Sequence, residues 1–169
     1  MNKITLTKQE QYTCHKAALI RAENTPDYWD TRSGAYEAAE SGLSLHEFIA
    51  QDAAATGSEW AVAKVLGYDF DPYLVKGKRI ADVGKNIEVK STKYLTGHLI
   101  IQEIDRTEDI AVLVLNKSPD YTVVGCLPIA WAKNDKFRHK VQANWWIPQG
   151  HLMPIGTMPY PVIQIAIAK

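Results

Sequence analysis

The stretch Ile80-Ala81-Asp82-Val83-Gly84-Lys85-Asn86-Ile87-Glu88-Val89-Lys90 sets two carboxylates and an ammonium close together in the chain. Side chains alternate across a β-strand, so Glu88 and Lys90 share one face and Val89 takes the other. A tight turn at Gly84-Lys85 would fold residues 79–83 back beside 86–92 and bring Asp82 next to Glu88. Two carboxylates that close repel, and one resists ionising unless a cation lies between them. A hard divalent ion meets that need, because Mg²⁺ takes oxygen ligands from one or two carboxylates together with phosphates. Such an ion lowers the pKa of bound water and neutralises charge on a scissile phosphate. Lys90 would position or help deprotonate that water, or steady the transition state. The ordinary alternative is a surface hairpin whose Glu88–Lys90 pair is a same-face ion pair, worth under about 1 kcal/mol.

Elements must hold these groups in place. Glu59 has Val62, Ala63 and Leu66 at its i+3, i+4 and i+7 positions, the apolar side of a helix. Its carboxylate is therefore expected to face the core, where it needs a partner that the Asp82/Glu88 cluster supplies. Thr7 is expected to cap a first helix running to about Glu23, which Thr25-Pro26 stops. Ser44 with Glu47 reads as a capping box that opens a second helical stretch, ended by Gly67 and broken in two at Gly57. Residues 26–43 are turn-rich, with a short helix at 34–40. From Tyr68 the period changes to strands, expected at 69–75, 79–83, 86–92, 98–104, 109–116, 120–126 and 162–168. Pro128 begins a short helix to about Lys133, and the proline-bearing segment 140–161 reads as ordered loop with short extended pieces. The expected class is α+β, N-terminal helices followed by a mixed sheet, with a helical extension over 1–43 and one compact unit over 44–169.

The 169 residues balance 19 Lys+Arg against 19 Asp+Glu, and 46% are hydrophobic, enough for one sizeable core. The neutral total hides an uneven layout. Residues 22–59 hold eight acids against Arg32 alone; residues 76–93 hold six bases against Asp82 and Glu88. A second basic island lies over 133–140, with Lys133, Lys136, Arg138 and Lys140 against Asp135. Nucleic-acid binding is thus expected to be local and metal-assisted rather than a global electrostatic grip. No apolar run reaches membrane-span length, and MNKITLTKQEQYT has no secretory apolar stretch, so a cytoplasmic protein is expected. Cys14 and Cys126 read as reduced thiols, the five histidines lack zinc spacing, and no glycine-rich phosphate loop implies a nucleotide cofactor. Trp131, Trp145 and Trp146 flank the second island and either stack on bases or seal the loops against the sheet.

A helical Glu, then Asp, then a strand with Glu-x-Lys resembles the PD-(D/E)XK nuclease superfamily. Asp82 matches its first acid, Glu88 and Lys90 its (D/E)xK, and Glu59 its helical acid, with Ala81 where proline is nominal. The run from Gly57 to Gly67, the segment Asp82 to Lys90, Gly97-His98-Leu99-Ile100, Val124-Gly125-Cys126 and Trp146-Ile147-Pro148-Gln149 look like small phage and prophage members. The resemblance spans about residues 55 to 155. It implies a restriction-endonuclease-like core and an Mg²⁺- or Mn²⁺-dependent nuclease that cuts DNA, in the host cytoplasm if phage encoded. Metal ligands would be Asp82, Glu88, Glu59 and the Val89 carbonyl, with Lys90 assisting. Lys85, Thr92, Lys93 and His98 lie where they would contact the nucleic acid. Junction-cleaving members work as dimers, so a homodimer is a further expectation. The alternative is a catalytically inactive module of the same fold that binds nucleic acid or a protein, its acidic N-terminal stretch mimicking DNA or covering the site.

Overall fold

The computed structural model describes residues 1–24, 44–74 and 80–157. The expected short helix at 34–40, the bases Lys76, Lys78 and Arg79, half the acids of the 22–59 stretch (Asp27, Asp30, Glu37 and Glu40) and the strand expected at 162–168 lie outside the described residues.

The elements run β1 (Asn2–Thr5), α1 (Lys8–Asn24), α2 (Leu45–Leu66), β2 (Ile87–Thr92), β3 (Leu99–Gln102), β4 (Ile110–Lys117), β5 (Asp120–Pro128), α3 (Ile129–Ala132) and β6 (Asn144–Ile147). The class is α+β. A four-stranded mixed sheet has the order β1-β5-β4-β2, with β2 parallel to β4 and the other pairs antiparallel. A second, two-stranded antiparallel ribbon joins β3 and β6.

Alternation along the strands sorts the side chains into two cores. Ile110, Val112 and Val114 of β4 and Ile87 of β2 face α1 and α2, where they meet Cys14, Ala18, Ala53, Ala61 and Val62. Ala111, Leu113 and Leu115 face the other way, onto Leu99 and Ile101 of β3 and Trp145 and Ile147 of β6. The sheet therefore lies between a helical layer and a β-ribbon layer.

Capping explains where the helices begin. The Thr7 hydroxyl accepts from the Glu10 amide at 3.2 Å, and the Glu10 carboxylate accepts from the Thr7 amide at 2.8 Å. Ser44 and Glu47 form the same reciprocal box before α2, and Gly67 closes it at φ +72°. Arg21–Asp52 and Lys64–Glu10 ion pairs tie α1 to α2. Because β1 pairs with β5 and α1 shares the first core, the first 24 residues belong to the same packed unit as the sheet.

Three expectations are corrected. First, α2 runs unbroken through Gly57, because a Cβ there would collide with the Tyr121 hydroxyl. The glycine permits close approach of helix and sheet rather than ending the helix. Second, residues 69–74 form no strand: the Asp71 carboxylate accepts from the Tyr73 amide at 2.9 Å, and the chain turns. Third, residues 80–83 contribute one bridge, Val83 to Ile87, instead of a full strand.

Gly57→Ala is expected to destabilise the fold by about 1–3 kcal/mol through overpacking against Tyr121. At an ordinary helical site the same change stabilises, by about 1 kcal/mol. Chemical denaturation decides between them, and a higher midpoint for the variant would refute the close-approach reading.

Candidate functional site

The hairpin before β2 is as tight as its sequence suggests. Val83 and Ile87 exchange both backbone hydrogen bonds, at 3.1 and 3.2 Å, around Gly84 at φ +59°, a left-handed conformation suited to glycine. The Ile110 amide donates to the Asn86 carbonyl at 2.8 Å, which starts the parallel ladder with β4. In that ladder residues 86, 88 and 90 turn their backbone groups toward β4, so those of 87, 89 and 91 point out from the sheet edge.

Asp82 uses that edge. Its Oδ2 accepts from the outward Val89 amide at 2.7 Å, which fixes the carboxylate beside the Glu-x-Lys segment. The Val89 carbonyl leaves the strand on the same side. Asp82 is thus held against the backbone of the Glu88-Val89-Lys90 segment.

Glu88 and Lys90 project from the opposite face to Ile87, toward the ribbon layer. Lys90 Nζ donates to Glu88 Oε1 at 2.9 Å and to Asp105 Oδ1 at 3.0 Å. The sequence reading missed Asp105. Its side chain is only 6% exposed, and its second oxygen accepts from the Gln102 amide at 2.7 Å. Lys133 Nζ braces that turn by donating to the Glu103 and Asp105 carbonyls, both at 2.8 Å. Burial disfavours the Lys90 ammonium, but the Glu88 and Asp105 charges outweigh it, and its pKa is raised. Lys90 is therefore a fixed cation here, suited to donating rather than removing a proton.

A second ionic pair sits beside the first. Arg106 grips Asp109 with Nε at 2.8 Å and Nη2 at 2.6 Å, and Asp109 is 2% exposed. Arg106 also lies close enough to Glu88 for that carboxylate to help hold its guanidinium charged, behind the dominant effect of Asp109.

Glu59 belongs to the helical layer. It is half-buried on α2, in the layer across the sheet from the Glu88 and Lys90 side chains. Its charge reaches Cys14 of α1, whose thiol is pushed up to about 11, first by burial and then by Glu10, with a smaller push from Glu59. Among the described residues, no group of three or more His, Cys, Asp and Glu side chains is arranged to hold a metal ion.

The expected nucleic-acid contacts scatter along one border. Lys85 is exposed on the hairpin turn, and Lys93 is exposed with its Nζ over the Tyr94 ring at 5.7 Å. Half-buried Thr92 accepts from the Tyr94 amide at 3.2 Å, and His98 tilts against Trp146 at 5.8 Å. His139 stacks on Trp146 at 4.7 Å. Trp145 is buried under the Arg138 guanidinium at 4.3 Å, which makes it a seal between ribbon and loop, whereas Trp131 is 56% exposed.

The donor chemistry of Asp82, Glu88 and the Val89 carbonyl is all oxygen, as a hard divalent ion prefers. Mg²⁺ is commonly held by one or two carboxylates with water and phosphate completing its shell, so a pair of acids suffices. No family model matches the chain, and no curated protein or solved structure matches it either.

Lys90→Met would leave Glu88 facing the buried Asp105 carboxylate without a cation. Breaking a buried pair costs about 3–5 kcal/mol, and the partial exposure of Glu88 reduces this to about 2 kcal/mol. Adding Asp105→Asn should restore part of the loss in a double-mutant cycle; simple additivity would contradict the triad. In the wild type the folded-state pKa of Lys90 lies above its ordinary 10.5, so its contribution is complete below that value. The contribution fades only as pH rises through the folded value, which an alkaline denaturation series would show.

Proposed function

We propose that this chain is an Mg²⁺- or Mn²⁺-dependent nuclease that hydrolyses DNA phosphodiester bonds at the free edge of β2, in the manner of the PD-(D/E)XK superfamily it resembles. The observation that carries the reading is the Asp82 carboxylate docked on the Val89 amide, next to the Glu88–Lys90 pair. Asp82 at the strand edge and Glu88 and Lys90 on its ribbon-side face set three ionisable groups about one short strand.

Asp82, Glu88 and the Val89 carbonyl would hold the ion, which supplies a lowered water pKa and charge neutralisation at the scissile phosphate. Lys90, held protonated between Glu88 and Asp105, donates to the attacking water or to a phosphate oxygen and does not serve as the base. Asp105 acts through Lys90 as a positioning residue. Lys85, Lys93, Thr92 and His98 line the border along which the substrate backbone would run, and the first two supply charge. The proposal does not depend on Glu59.

A second reading is a non-catalytic module that binds nucleic acid or a protein partner. It draws on the lack of a three-residue metal group among the described residues.

Plasmid cleavage in Mg²⁺ or Mn²⁺ tests the proposal. The wild type should nick or linearise the substrate, and Asp82→Asn and Lys90→Ala should each be slower by about 10²-fold or more. Equal cleavage by wild type and Lys90→Ala would refute the mechanism. Metal-independent DNA binding with no cleavage would favour the second reading.

A further inference from the structure

Among the described residues, Asn86 Oδ1 is a buried side-chain oxygen with no hydrogen-bond partner. Asn86 is 9% exposed and sits in the hairpin between the two acids, four residues after Asp82 and two before Glu88. Its carbonyl already accepts from the Ile110 amide, so the alternation of β2 extends through it. The Asn86 side chain therefore shares the face of Glu88 and Lys90. A buried carbonyl oxygen without a donor is unfavourable, and in a folded protein it calls for an explanation such as an ion or an ordered water.

The charged donors of β2 and of the turn before β4 have partners of their own. The Lys90 ammonium is shared by Glu88 and Asp105, and the Arg106 fork lies on Asp109, the residue before Ile110. A third carboxylate at position 86 would add repulsion beside Glu88 and Asp109. A neutral amide oxygen adds a hard ligand without that repulsion. We infer that Asn86 Oδ1 is a neutral oxygen ligand for the divalent cation held by Asp82 and Glu88; the inference rests on the metal-dependent reading above.

Calorimetric titration of the full chain with Mn²⁺ alone, without nucleic acid, tests it, together with thermal midpoints measured with and without Mn²⁺. Asn86→Ala is expected to bind Mn²⁺ about tenfold more weakly than the wild type. The gain in midpoint on adding Mn²⁺ should shrink relative to that of the wild type. Asn86→Asp should bind Mn²⁺ more tightly than the wild type, and this keeps the test decisive if Asn86→Ala folds poorly.

Wild-type binding with an unchanged affinity in Asn86→Ala overturns the inference and leaves the metal reading standing. A lower metal-free midpoint with unchanged affinity assigns the oxygen to a structural water and overturns it equally. If the wild type binds no Mn²⁺, the reading beneath fails and the inference with it.

Discussion

The Lys90 ammonium is drawn onto the inner face of an edge strand, and that charge constrains what surrounds it. A cation in this position needs counter-charge within hydrogen-bond reach, and one neighbour two residues away on the same strand does not suffice. Glu88 provides the first carboxylate and Asp105 the second, from a turn that follows the ribbon strand β3. The turn is fixed in its own right, by the Gln102 amide on Asp105 and by Lys133 on two of its carbonyls. The ribbon layer thus supplies more than apolar cover for Ala111 and Leu113. It closes the electrostatic environment of the β2 face.

The edge position of β2 adds a second consequence. An edge strand presents unpaired amides and carbonyls that a protein must manage. Here Val83 takes up the outward groups of Ile87, and Asp82 takes up the outward amide of Val89. The same hydrogen bond that blunts the edge also fixes the direction of a carboxylate. On the far face Ile87 and Val89 pack against the helical layer, which anchors the strand.

Much of this was legible in the sequence because it was local. Both capping boxes, the Gly67 stop, the Gly84 turn and the same-face placement of Glu88 and Lys90 follow from spacing within a few residues. What depended on distant partners was not. Asp105 lies fifteen residues from Lys90 in an irregular turn with no periodic signal. β1 carries one half-buried apolar residue, Ile4, among exposed Asn2, Lys3 and Thr5, too little pattern to announce a strand until β5 is beside it. The alternation of Trp145 and Ile147 inward with Asn144 and Trp146 outward was present, but surrounding prolines suggested a loop. Gly57 looked like a helix breaker because the Tyr121 ring that requires it is more than sixty residues away. The period-2 pattern at 69–74 was a turn in disguise, held by Asp71. Glu59 lies half-buried on a helix whose apolar side was legible from the spacing of Val62, Ala63 and Leu66.

The central claim is that the edge of β2 is a cation site built on Asp82 and Glu88 beside a lysine held between two carboxylates. The most direct measurement is a crystal structure grown with Mn²⁺ and phased for its anomalous signal. The account predicts a peak about 2–2.5 Å from oxygens of both Asp82 and Glu88, with Lys90 still bonded to Asp105. A peak only at other residues, or none at saturating Mn²⁺, would contradict it.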